Sequence, residues 1–223
     1  MLLGKIILNQ TRKCFFLGLI SVSFPFELFA QNSWELQKEE SGFKVYTRVK
    51  QGSDFKESKV TGKVKVNLTA LVSVFQDVNN FINFMPDCDE SKLLKMQGDT
   101  LQIYYMFTNA PWPVDDRDGI YQYNYSYNPD SNCVIIAVKA LPEYSEVKQG
   151  NVRIKVSDGR WKFTELADGY LDIEYPLFAN PGGSIPAWLA NSTTVDMPLK
   201  TALEALKQAQ LNLHKGKKYN FIK

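Results

Sequence analysis

The sequence predicts an α+β fold in which an antiparallel sheet packs against one long C-terminal helix. Three observations carry this reading. Runs with period-two alternation follow one another between residues 34 and 178, separated by short turn signals, so neighbouring strands pair as hairpins. Helical spacing is confined to two places, after Asn67 and after Pro186. No repeat, low-complexity linker or compositional break follows Ser33, so one domain of about 180 residues holds all of these elements.

In chain order, residues 34–39 and 43–49 form a first hairpin about Ser41-Gly42. Gln51-Gly52-Ser53-Asp54 breaks the chain. A long strand, 55–66, follows; Val60, Val64 and Val66 alternate there with Lys59, Lys63 and Lys65, which gives one dry and one wet face. The period changes at Asn67, a good N-cap, and Leu68, Leu71, Val72, Phe75 and Val78 mark one face of a short helix. An apolar segment, 81–85, ends at Pro86. Hairpins then return: 90–97 with 100–108 about Gly98-Asp99, and 117–127 with 133–140 about Asn128-Pro129-Asp130. The last pair is 152–164, interrupted at Asp158-Gly159, with 170–178, joined about Asp168-Gly169. From Pro186 to residue 213 a helical pattern would run roughly 42 Å if straight. Trp188, Leu189, Val195, Leu199, Ala202, Leu203 and Leu206 mark its apolar side, and Pro198 predicts a kink. Gly182-Gly183 frees the backbone path into it, and Pro186 falls where a first-turn proline is tolerated.

Of the 223 residues, 44% are hydrophobic and 13% aromatic, ample for a core. There are 26 basic and 24 acidic residues; without the first thirty residues the two balance, which offers no electrostatic case for nucleic acid. Lys5, Arg12 and Lys13 precede an apolar run from Cys14 to Phe26, and Leu28-Phe29-Ala30 lies before polar Gln31-Asn32-Ser33. This is the layout of a secretory signal peptide over residues 1–30, too short in its apolar run for a membrane span. The protein is therefore expected to be periplasmic or secreted. Cys88 and Cys133 would remain in the processed chain, either as a disulfide or as two separate buried thiols. The basic residues of the tail, 214–223, are read as solvated.

Two phrases carry more. Pro111-Trp112-Pro113-Val114-Asp115-Asp116-Arg117-Asp118 joins two strands, and Pro181-Gly182-Gly183-Ser184-Ile185-Pro186-Ala187-Trp188-Leu189 leads into the last helix. With Gly150-Asn151-Val152-Arg153, Gly159-Arg160-Trp161 and the order of elements, the chain resembles the START lipid-binding domains, especially their bacterial single-domain members, over residues 34–213. Where members often carry an apolar pair after Arg-Asp, this chain has Gly119-Ile120. The resemblance implies a helix-grip fold: a curved antiparallel sheet wrapped around the C-terminal helix, with a tunnel between them holding one lipid, sterol or other apolar molecule. It also implies a mouth formed by the loop before Arg117 and by the last helix, with Trp188 and Ile185 opposite Trp112.

The candidate binding residues are Tyr105, Trp112, Arg117, Tyr123, Arg153, Ile185 and Trp188. Tyr121, Tyr123, Tyr125 and Tyr127 share one strand face, while Tyr104 and Tyr105 lie on opposite faces of the strand before. Such rings either wall a tunnel or pack as ordinary β-formers, the second being favoured for any one of them. Arg117 and Arg153, with Asp116 and Asp118 as candidate partners, read equally as ligand anchors and as structural pairs. Strict alternation in Val152-Arg153-Ile154-Lys155-Val156 places Arg153 in water, and the resemblance places it near the tunnel. The single histidine, His214, lies in the tail, no metal-ligand spacing is present, and no cofactor is implied. Two function classes follow: a monomeric carrier or sensor of a hydrophobic molecule, with transient membrane contact, or an enzyme like the related cyclases and aromatases. The export signal and the lack of a usable histidine favour the carrier.

Cleavage after Ala30 predicts that N-terminal sequencing of the protein from whole cells starts at Gln31. An intact Met1 in the cytoplasmic fraction would refute the export reading.

Overall fold

Alternation along each strand decides which side of the sheet is dry, and the dry side meets the helices. The structure, a computed structural model, describes residues 33–110, 112, 114–211 and 216–222. Among them, ten strands form one curved sheet. They are β1 (Glu35–Glu40), β2 (Phe43–Val49), β3 (Lys56–Val64), β4 (Cys88–Gln97), β5 (Leu101–Thr108), β6 (Arg117–Asn128), β7 (Cys133–Ala140), β8 (Val152–Arg153), β9 (Val156–Glu165) and β10 (Leu171–Asn180). The order across the sheet is β1-β2-β3-β10-β9-β7-β6-β5-β4, with antiparallel neighbours throughout. Short β8 lies parallel against β6. The helices are α1 (Leu68–Gln76), α2 (Ala187–Ser192) and α3 (Asp196–Ala209), with a 3-10 turn at Val78–Asn83. The segment before Ser33, where a signal peptide was expected, and His214 fall outside the described residues.

Asn67 caps α1 as expected, its side chain accepting from the Ala70 N–H at 2.9 Å. The helix is buried over most of its circumference because it lies between the sheet and α3. Phe75 is its pivot, with ring centroids of Trp161, Phe163, Phe84 and Tyr123 between 4.8 and 6.4 Å away. The Phe75 carbonyl stands in the last turn, where intrahelical donors run out. Gln102 Nε2 donates to it at 2.7 Å and the Tyr125 hydroxyl at 2.9 Å, so β5 and β6 complete the hydrogen bonding of the helix.

Four expectations need correction. The chain breaks between β8 and β9 at Ile154-Lys155, and β9 runs straight through Asp158-Gly159. Gly159 serves close approach instead of a turn: a Cβ there would lie 3.0 Å from the Pro176 carbonyl oxygen of β10. The C-terminal helix is divided at residues 193–195 and ends at Ala209, where a single kinked helix to residue 213 was expected. Pro198 falls in the first turn of α3, where a missing N–H costs little, so the chain breaks one turn ahead of it instead of bending at it. The Thr193 and Thr194 hydroxyls donate to the Ala190 and Asn191 carbonyls at 2.9 and 2.7 Å, satisfying acceptors left at the end of α2. The tail is not simply solvated either. Lys217 and Lys218 are exposed, but Tyr219, Phe221 and Ile222 pack against the core, Phe221 lying 5.9 Å from the Tyr125 ring. Of the two cysteine alternatives, separate buried thiols is the one realised; burial pushes the Cys88 thiol up to about 11.

The fourth correction concerns Arg153. On β6, Tyr121, Tyr123 and Tyr125 belong to the main core, while Asp118 and Ile120 alternate with them onto the opposite face. Arg153 sits on that opposite face, but not in water, because the chain between β7 and β8 covers it; the residue is 6% exposed. Its Nε donates to Asp118 Oδ1 at 2.8 Å and its Nη2 to Oδ2 at 3.0 Å. The other donors reach the carbonyls of Pro142, Ser145 and Glu146 at 2.8, 3.1 and 3.1 Å. All five guanidinium N–H groups are thereby used. Hydrogen bonding to Asp118 raises the Arg153 pKa further above its ordinary range.

Removing one partner of such a pair strands the other charge in the interior. Arg153→Met is expected to cost about 3–5 kcal/mol in urea unfolding, and adding Asp118→Val should restore most of it. A loss below about 0.5 kcal/mol for the single variant would show that the pair does not fasten β8 to the sheet.

Candidate ligand cavity

The start of β3, the start of β6 and the end of β10 converge, since Leu177 pairs with Ser58 and Arg117 with Val152. After β10 the chain must turn back across this end to reach α2. It does so through Gly182 and Gly183, both left-handed at φ 68° and 67°. A Cβ on Gly182 would lie 3.0 Å from the Arg153 carbonyl oxygen, and one on Gly183 3.4 Å from Val152 Cγ1. Conformation and contact both require glycine there.

Beneath this crossing lies a cavity of about 310 Å³. Leu177 and Ala179 of β10, Ile154 after β8, and Ala110 and Val114 of the loop before β6 form one wall. Ile185, Leu189, Ala190, Met197 and Pro198 form the other, with Phe55 and Ser58 at the side. Two polar side chains hold the walls in place. Asn191 of α2 accepts from the Lys56 N–H at 2.8 Å and donates to the Asp54 carbonyl at 3.2 Å. Asp116 accepts from the Ala110 N–H at 2.9 Å, closing the loop that carries Trp112. Deeper between sheet and helix the space is filled by Phe75, Trp161, Phe163 and Tyr123, each at most 2% exposed.

Arg117 and Lys56 are the cations among the described lining residues and Asp87 the carboxylate; of the two cations, Arg117 is the deeply buried one. It is 8% exposed, and its Nη1 donates to the Asp115 carbonyl. Burial lowers its pKa from the usual arginine value, against the opposing pull of Asp115 and Asp116. No carboxylate of the described residues forms an ion pair with it, Asp116 being engaged by the Ala110 amide.

Of the seven candidate residues, the structure brings Arg117 and Ile185 to the cavity. Trp112 and Trp188 are 92% and 73% exposed and do not line the space; Trp188 directly precedes lining Leu189, and Trp112 is two positions before lining Val114. Tyr123 is in the core, its ring 4.9 Å from Tyr104 and 6.2 Å from Phe81. Burial pushes its phenol up to about 12. Tyr105 and Arg153 lie on the far face of the sheet, where Tyr105 packs with Ile103 and Ile120 under the Lys148 ammonium. The sequence reading missed Leu177, Ala179, Ile154 and Met197. Alternation signalled the first two, since they share a face with buried Tyr175.

No protein-family model matches the chain. It is 35% identical over 176 residues to an uncharacterised protein of Pseudomonas aeruginosa, covering 79% of this chain and 86% of the relative. It is 27% identical over 172 residues to the phosphatidylcholine transfer protein of Mus musculus, covering 71% and 75%. Among solved structures, the STAR-related lipid transfer protein of Xanthomonas axonopodis superposes with a TM-score of 0.74 at 38% identity, covering 80% of this chain and 99% of that one. Human StAR-related lipid transfer protein 5 shares the fold, with a TM-score of 0.65 at 14% identity over 82% and 88%. With a curved sheet gripping a C-terminal helix, and with this identity over nearly the whole of a STAR-related lipid transfer protein, the chain belongs to the START family of lipid-transfer domains.

Proposed function

We propose that the protein holds one lipid or other hydrophobic small molecule between the sheet and the C-terminal helices, as a carrier or sensor outside the cytoplasm. The carrying observation is the cavity itself. Side chains from the end of β10, from α2 and from the start of α3 enclose a mainly apolar concavity, the type of site that takes small hydrophobic ligands. The names of the relatives, lipid transfer and phosphatidylcholine transfer, agree with this reading. Trp112 and Trp188, exposed beside the cavity walls, suit transient contact with a membrane, because indole rings favour the boundary between apolar and aqueous phases. The N-terminal basic and apolar segment supports export. The cyclase-like alternative calls for a pocket arginine together with tyrosines; Arg117 lines the cavity, whereas Tyr104, Tyr121, Tyr123 and Tyr125 are in the aromatic core, which favours the carrier.

Filling the cavity tests the reading. The natural protein is expected to take up one fluorescent fatty acid per chain. Ala190→Trp should weaken that uptake at least about tenfold, equivalent to about 1.4 kcal/mol, with melting little changed. Equal uptake by both proteins would place the ligand elsewhere.

A further inference from the structure

Two arginines, one on β6 and one on β8, have opposite fates. Every donor of Arg153 is used. Arg117 is as deeply buried, lines the cavity, and has a single side-chain hydrogen bond among the described residues, from Nη1 to the Asp115 carbonyl. Its Nε and Nη2 have no protein acceptor there. The absence of a side chain at Gly183 leaves room on that side: a Cβ would be 3.7 Å from Nη2. Donors left free on a guanidinium that lines a mainly apolar cavity can give an anion there charge-assisted, two-pronged hydrogen bonding.

The remainder of the cavity narrows the ligand further. Phe55 is the single aromatic ring among its described lining residues, so there is no cage of rings for a quaternary ammonium group. The volume of about 310 Å³ lies at the small end of the roughly 300–1,000 Å³ of ligand sites. That suits one acyl chain of moderate length. It does not suit two, and the aromatic core behind Leu177 offers no continuation.

Resting on the reading of this cavity as a lipid site, we infer that its ligand is a single-chain amphiphile with an anionic head group, carboxylate or phosphate monoester, anchored by Arg117. A zwitterionic two-chain choline lipid, of the kind named for one relative, is a poor fit.

The test uses the full chain, stripped of lipid, titrated with dodecanoate, dodecyl phosphate, dodecanol and phosphatidylcholine vesicles. Both acids should bind at least tenfold more tightly than dodecanol. Arg117→Gln should weaken the acids by about 10- to 100-fold, as expected for hydrogen bonds to a charged group, and leave dodecanol unchanged. Arg117→Lys should recover part of the loss. The ratio of dodecanoate to dodecyl phosphate binding identifies the head group. Equal binding of acids and alcohol by the natural protein overturns the anchor while leaving the lipid site standing, and this comparison holds even if Arg117→Gln does not fold. Tighter binding of phosphatidylcholine than of either acid overturns the single-chain assignment. Binding of none of the probes overturns the lipid site itself, and the anchor with it.

Discussion

The ion pair between Asp118 and Arg153 is the fastening on which the ligand end of the molecule depends. It joins a strand of the main sheet to a two-residue strand that would otherwise hang on a pair of backbone contacts. That short strand is the surface on which Gly182 and Gly183 cross, within van der Waals reach of its backbone and of Val152. The crossing in turn determines where α2 begins and therefore where one cavity wall stands. A charge pair on the far face of the sheet thus positions a wall on the near face, through the backbone of β8 and not through any side chain in the cavity. Energetically the arrangement is one-sided: the assembled pair adds little over an apolar substitute, but a half-pair is costly.

Strand alternation explains why neighbouring residues have such different chemistry. Arg117 and Asp118 are consecutive, so one must face the helices and the other must face away. Asp118 meets a guanidinium and three nearby carbonyls saturate the rest, making a closed unit. Arg117 meets apolar side chains and one carbonyl. The first arrangement uses every guanidinium donor within the protein, and the second leaves donors without an acceptor among the described residues.

Much of this was legible in the residues. Strand β2 and the β6 start follow from alternation and turn residues, and the α1 cap from Asn67, because each is decided by neighbours within a few positions. What was not legible depends on distant chain. Arg153 alternates as an exposed residue does, and only the covering loop between β7 and β8 makes it buried. Gly159 looks like a turn until Pro176 is brought against it from β10. The tyrosines of β6 were correctly placed on one face, but sequence could not say that Phe75 and Phe81 would occupy the space in front of them. The motif Pro181-Gly182-Gly183 lies at the end of the molecule that holds the cavity, and its glycines make the close crossing over β8.

The packing of the C-terminal residues has a mechanical corollary. Helix α3 buries Leu199, Ala202, Ala205 and Ala209, and the segment carrying Tyr219 and Phe221 closes over the same core from beyond its end, so its far end is tied down twice. Helix α2 buries none of its own residues; Asn191 ties it to Lys56 at the start of β3 and to Asp54 in the loop before it. Any opening of the cavity therefore has a cheap side and an expensive one. Displacing α2 would break the two Asn191 hydrogen bonds, whereas lifting α3 would open the hydrophobic interior, so the two walls of the cavity differ in how firmly they are held.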